Sequence, residues 1–327
     1  MKDIFKINLQ LFAENTNTTL SEGLSVENKT YYDKNLIREA QPNLIHDQFG
    51  QKKPIPKNGG KTIEFRKFAS LPKATTPLTE GVTPDGKSLN VSNITAEVAQ
   101  YGDYVTLSDM LDLTAIDPVV VEAVKVVGNQ AGLTLDTITR NVLQSGTNVY
   151  YCPKANGTTN YARTDLDASS VLTVDVVKNV AALLKSVNAP KIDGSYVAIV
   201  HPFVAADIMK DEQWIDAYKY SNAENIYEGE IGKIAGVRFV ESSEAKIYEG
   251  GVFGSLFLGA NAYGVTEVEG GGLQTIIKQL GSSGVADALN QRSSVGWKAT
   301  KTAEILIDAY MYRVESKSSL SDKATAN

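Results

Sequence analysis

Lys61-Thr62-Ile63-Glu64-Phe65-Arg66-Lys67-Phe68 alternates apolar and charged side chains at its start, the period-two pattern of a half-buried strand. A second strand runs through Ile94-Thr95-Ala96-Glu97-Val98 and on toward Tyr104-Val105-Thr106-Leu107. Between them, residues 71–89 hold Pro72, Pro77, Pro84, Gly81 and Gly86. Proline fixes φ and withholds a donor, so this middle segment is not a central strand. The pattern is a long two-stranded finger with an irregular tip. Isolated ribbons are marginal in water, so a finger without a packing partner in its own chain invites one from another chain.

Downstream lies the clearest helix. Asp117 can cap it and Pro118 suits its first position. Val120, Val124, Val127, Ala131, Leu135, Ile138 and Val142 recur in steps of three and four and paint one apolar stripe. Glu122, Asn129, Asp136 and Arg140 fall on other faces, with Asp136 and Arg140 spaced for an i,i+4 pair. Ser145-Gly146 supplies the stop, giving a strut of about 40 Å. Gly128 and Gly132 inside it read as close packing of the helix on a sheet, with a bend point as the alternative.

Upstream, residues 1–45 are polar and weakly periodic, an extended arm with at most a short helix near residues 30–40. Beyond the helix the pattern turns α/β. Residues 174–187 are helical and end at Asn188-Ala189-Pro190. Tyr196-Val197-Ala198-Ile199-Val200 is a continuous apolar run, the mark of a buried strand, and His201-Pro202 opens another helix. Residues 232–240, 255–259, 265–268 and 274–280 read as strands, Gly281-Ser282-Ser283-Gly284 as a turn, and residues 303–314 as one long terminal strand. Residues 315–327 are polar and expected to be loose.

Composition narrows the function. The 327 residues carry a net charge of −6, which argues against a protein that grips nucleic acid through a basic stripe. Lys52, Lys53, Lys57 and Lys61 are broken up by Pro54, Pro56 and Gly59-Gly60 and read as a solvated loop. The single cysteine, Cys152, excludes an intramolecular disulfide and is expected to be a partly exposed bystander. With only His46 and His201, no His/Cys zinc cluster can be assembled. The apolar run at the start is interrupted at Lys6, Asn8 and Gln10, unlike a signal peptide, and no stretch reaches the roughly 20 apolar residues of a membrane span.

No P-loop, nucleophile elbow, HExxH pair or dinucleotide fingerprint occurs. Gly270-Gly271-Gly272 lacks the flanking elements of a phosphate cradle and reads as a flexible turn. His201 reads as a helix-entry residue rather than a general base. Asp207, Asp211, Glu212 and Asp216 read as a solvated helical face. The expectation is therefore no catalytic, cofactor-binding or metal-binding residues, and no cofactor.

The order of arm, finger, long helix, α/β lobe and terminal strand resembles the major capsid proteins of tailed bacteriophages, whose fold the herpesvirus capsid floor shares. The resemblance is carried by Asn8-Leu9-Gln10-Leu11-Phe12-Ala13, by Leu78-Thr79-Glu80-Gly81-Val82-Thr83-Pro84, by Gln100-Tyr101-Gly102-Asp103-Tyr104-Val105-Thr106-Leu107-Ser108-Asp109, and by residues 133–141. It implies an α+β capsid fold with an N-terminal arm at 1–45. A first peripheral part would cover 46–165, with the extended β loop at about 58–107 and the spine helix at about 117–145. An axial domain would cover 166–290, and a return strand with a flexible C-terminus 291–327. It further implies self-assembly into pentamers and hexamers of an icosahedral head around double-stranded DNA, with assembly in the host cytoplasm and no membrane. A separate scaffolding protein and a portal are implied partners. Some relatives cross-link subunits through a lysine; Lys73 and Lys87 lie in the finger, and nothing marks either as such a site. An encapsulin-like compartment around enzyme cargo, an α/β enzyme with an unrecognised site, and a surface adhesin remain the rival readings.

Overall fold

The computed structural model describes residues 44–68, 71–83, 85–114, 119–221, 232–282 and 289–327. The expected arm helix near residues 30–40, the Asp117-Pro118 helix start and the end of the turn at Ser283-Gly284 lie outside them. The described strands, in chain order, are β1 (Gln51–Lys52), β2 (Thr62–Phe68), β3 (Val91–Glu97), β4 (Ala99–Ser108), β5 (Val149–Tyr151), β6 (Tyr196–Val200) and β7 (Lys233–Ile234). They continue as β8 (Val237–Glu241), β9 (Lys246–Tyr248), β10 (Val252–Leu258), β11 (Tyr263–Thr266), β12 (Gln274–Lys278), β13 (Arg292–Ile305) and β14 (Met311–Ser316). The helices are α1 (Asp109–Thr114), α2 (Val119–Leu143), α3 (Val174–Ser186), α4 (Pro202–Ile208) and α5 (Glu212–Ser221).

The chain divides into two compact units, one built from Gly102–Ala131 and Leu273–Lys298, the other from Asn43–Tyr101, Gly132–Gly272 and Ala299–Asn327. The larger unit holds a seven-stranded sheet in the order β5-β14-β10-β6-β8-β7, with β9 also on β10. Strand β6 is parallel to β8 and antiparallel to β10. Alternate residues of this sheet enter different cores. Ala198, Val200, Phe253, Phe257 and Val314 pack with α3 and α4, while Val197, Ile199, Leu256, Leu258 and Met311 pack with Leu143 and Tyr263. A strand covered on both faces needs apolar residues at every position, which is why 196–200 reads as an unbroken run. Helix α3 begins where Thr173 Oγ1 accepts from Val176 N at 3.5 Å and stops at Asn188, whose φ of 52° is left-handed.

Strands β2 and β3 form the expected antiparallel ribbon, Thr62 opposite Glu97 and Phe68 opposite Val91. The second strand does not continue through residue 107 as the sequence implies. It breaks after Glu97, and β4 pairs with β13 instead. The expected single strand over 303–314 is likewise two strands. Leu306 N and Ile307 N both donate to Ala262 O, and β14 then joins the other sheet. Residues 315–327 are not loose at either end. Glu315 and Ser316 are fully buried, Ser318 nearly so, and Asn327 N donates to Ile247 O at 3.2 Å.

In the smaller unit β4 crosses β13 closely enough to require glycine. A Cβ on Gly102 would sit 2.5 Å from Trp297 O, and one on Gly296 would sit 2.6 Å from the Tyr104 side chain. Asp103 Oδ2 accepts from Gln130 Nε2 at 2.6 Å, and this hydrogen bond is the main reason its carboxyl is held below the usual range. Strand β12 pairs with β13 in a register that sets Thr275 against Trp297.

Candidate functional site

Helix α2 buries more than its apolar stripe. Val124, Val127, Ala131 and Leu135 are buried as expected, and Gly128 and Gly132 are buried as well. Asp136 and Arg140 do not form an exposed pair along the helix; both are buried with partners distant in sequence. Asp136 Oδ1 accepts from His46 N at 2.7 Å, and its Oδ2 lies 2.6 Å from His46 Nδ1. Arg140 Nη1 donates to Glu244 O at 2.7 Å, and burial pulls its pKa down. Beside them Asp47 accepts from Thr139 Oγ1 at 2.5 Å and from Lys301 Nζ, while Tyr263 donates to His46 O. Burial is the main cause lowering the Lys301 pKa, and Asp47 opposes it. This network fixes residues 46–47 to α2 and to the C-terminal half of β13.

Among the described residues, the ribbon's buried side chains lie at its root. Ile63, Phe65 and Ala96 are buried with Ile55, and a Cβ on Gly264 would meet the Phe65 ring at 2.8 Å. Toward the tip, Leu71, Leu78, Val82 and Leu89 are exposed, Leu78 by 77%. The smaller unit is similarly uncovered at Tyr104, Val105, Met110, Leu111, Leu113, Val126, Ile276, Leu280 and Leu289. Apart from Tyr161 and Val187, every exposed large hydrophobic among the described residues lies on the ribbon or in this unit. Apolar surface concentrated this way marks a contact surface.

The remaining candidates fall into place as structural residues. His201 caps α4, its Nδ1 accepting from Phe203 N at 3.1 Å, and burial depresses its pKa. Cys152, expected to be partly exposed, is instead fully buried in the α3 core, which drives its thiol pKa upward. Asp207 does not lie on a solvated face: it is buried and binds Ser319 N at 2.8 Å, while Asp211 Oδ2 accepts from Val174 N at 2.9 Å. Gly271 is held rather than flexible, its N–H on Val268 O and its carbonyl accepting from Thr300 N. Lys53 Nζ rests 5.6 Å above the Phe65 ring, and Lys73 and Lys87 are exposed. Among the described residues, no group of three or more His, Cys, Asp or Glu side chains could hold a metal, and no helix is long and apolar enough to cross a membrane.

Residues 92–310, more than half of the chain, match the phage capsid protein family. The fold is similar to the capsid structure of cyanophage P-SCSP1u, at 15% identity and a TM-score of 0.64 over 83% of this chain and 87% of that one. It is similar to the capsid of cyanophage Pam1, at 14% identity and a TM-score of 0.64 over 86% and 93%. It also matches a virus-like particle from Pyrococcus furiosus, at 10% identity and a TM-score of 0.51 over 88% and 99%. No curated protein matches the sequence. The chain belongs to the phage capsid protein family, and its role is that of a structural major capsid protein of the head shell, not an enzyme.

Proposed function

We propose that copies of this chain close head to tail into pentamers and hexamers, which tile an icosahedral head around double-stranded DNA. The observation that carries this reading is the segregation of exposed apolar side chains to the ribbon and the smaller unit. Each fully buried leucine or valine contributes roughly 1.5–3 kcal/mol, so several on one neighbour suffice for a contact. A subunit held at several such sites must lose all of them to leave.

In this reading residues 1–45 are an arm and about 58–107 an extended loop, both lying over adjacent copies. The part from 46 to 165, with a spine helix at about 117–145, is peripheral. Residues 166–290 meet their copies at ring centres, and 291–327 return to the periphery. A separate scaffolding protein and a portal act during assembly in the host cytoplasm, and the net charge of −6 leaves the wall in non-specific proximity to packaged DNA without gripping it. Deleting residues 72–89 removes exposed tip side chains while sparing the buried root. The expected product is a soluble, folded subunit that forms no shells by negative-stain microscopy; normal particles would refute the ribbon's role. A compartment enclosing enzyme cargo shares the architecture, and copurifying enzyme in place of DNA would select it.

A further inference from the structure

At the ribbon's root lies a cavity of about 730 Å³, within the span of pockets that enclose small ligands. Phe65, Ile94, Leu306 and Ile307 supply its apolar lining, and Lys53, Arg66 and Lys67 its cations. Its one carboxylate, Glu64, accepts from Asn93 Nδ2 at 3.3 Å, leaving the rim net positive. Helix α1 has the opposite character. It carries Asp109 and Asp112, no basic residue in its last turn, and no buried side chain. Met110 is 62%, Leu111 44% and Leu113 79% exposed. Ser108 Oγ accepts from Leu111 N at 3.2 Å, and Asp109 N donates to Gln291 O at 3.0 Å, so the turn is presented from a fixed base. A single helical turn with leucines in water has little stability of its own.

We infer that α1 of one copy docks into the ribbon-root cavity of a second copy, leucines on the apolar lining and aspartates against Lys53, Arg66 and Lys67. The inference rests on the shell reading and names a pair of surfaces within it. Charge complementarity selects this occupant, and each copy offers one knob and one socket, the stoichiometry of a head-to-tail contact.

The test co-assembles a Gln51→Cys chain with a differently tagged Leu113→Cys chain and oxidises the particles. Gln51 lines the cavity and is exposed, and the native Cys152 is buried and takes no part. The expected result is a covalent heterodimer in mixed shells, with either variant alone at background. In a second arm, Asp112→Lys slows assembly at low salt several-fold and Lys67→Glu restores it. Shells that form without the heterodimer overturn the docking and leave the shell reading standing. Unsubstituted chains that never form shells overturn both.

Discussion

Arg163 grips Glu315 through two parallel hydrogen bonds, Nε to Oε2 at 2.7 Å and Nη2 to Oε1 at 2.6 Å. The guanidinium lies 3.5 Å over the Tyr248 ring, and Glu315 is fully buried on β14. The hydrogen bonds to Glu315 are the main reason the Arg163 pKa is raised. Arg313 Nε stands 3.0 Å from the same carboxylate. Glu315→Ala leaves two guanidinium groups without their counter-charge and is expected to cost about 3 kcal/mol. Denaturant titration of the unassembled subunit measures it, and a loss under about 1 kcal/mol would contradict the assignment.

Asp136→Ala removes both acceptors that its carboxylate offers His46. The backbone N–H and the ring nitrogen lose their acceptor at a buried site, with an expected cost of about 3 kcal/mol. The loss should be local before it is global. Hydrogen exchange at residues 45–50 accelerates while the 196–200 strand keeps its protection.

Gly102→Ala tests the crossing of β4 and β13. The new Cβ meets a backbone carbonyl, which no side-chain rotation relieves, so the expected destabilisation is about 1–3 kcal/mol. Trp297 supplies that carbonyl, and its near-ultraviolet circular dichroism reports the distortion.

Asp207 links α4 to the C-terminal segment with a titratable group. Burial is the largest influence and pushes its pKa up, but hydrogen bonds from Ser319, Ser318 and Lys210 together outweigh it and hold the pKa below the usual value. The folded state therefore binds this proton later than the unfolded state does. The stabilisation is fully present above the ordinary aspartate value of about 3.9 and is lost as pH falls through the lower folded value. Asp207→Asn should flatten the acid limb of the stability curve below about pH 4, with an unchanged slope counting against the linkage.

The sequence made some elements legible and hid others for physical reasons. The run 196–200 and the stripe on α2 were readable because burial there demands apolar residues at a fixed period. Asp136 and Arg140 looked like a local surface pair because their true partners, His46 and Glu244, lie 90 and 104 residues away. Residues 303–314 looked continuous because alternation persists across the break, where only the Ala262 carbonyl and the Asp308–Tyr310 turn redirect the chain. Cys152 was misread because a lone thiol carries no pattern from which burial can be inferred. The ribbon was legible from the alternation of its strands and the prolines at its tip, whereas its socket was not, since Lys53, Arg66 and Leu306 converge only after folding.

The attachment of His46 to Asp136 also bears on how copies meet. His46 is a point that cannot swivel, gripped through main chain and ring alike. The rotational freedom at that point is surrendered when each molecule folds, not when molecules meet. A neighbour that contacts residues 46–47 thus meets main chain whose ordering entropy is already spent, and the entropy penalty of association shrinks accordingly.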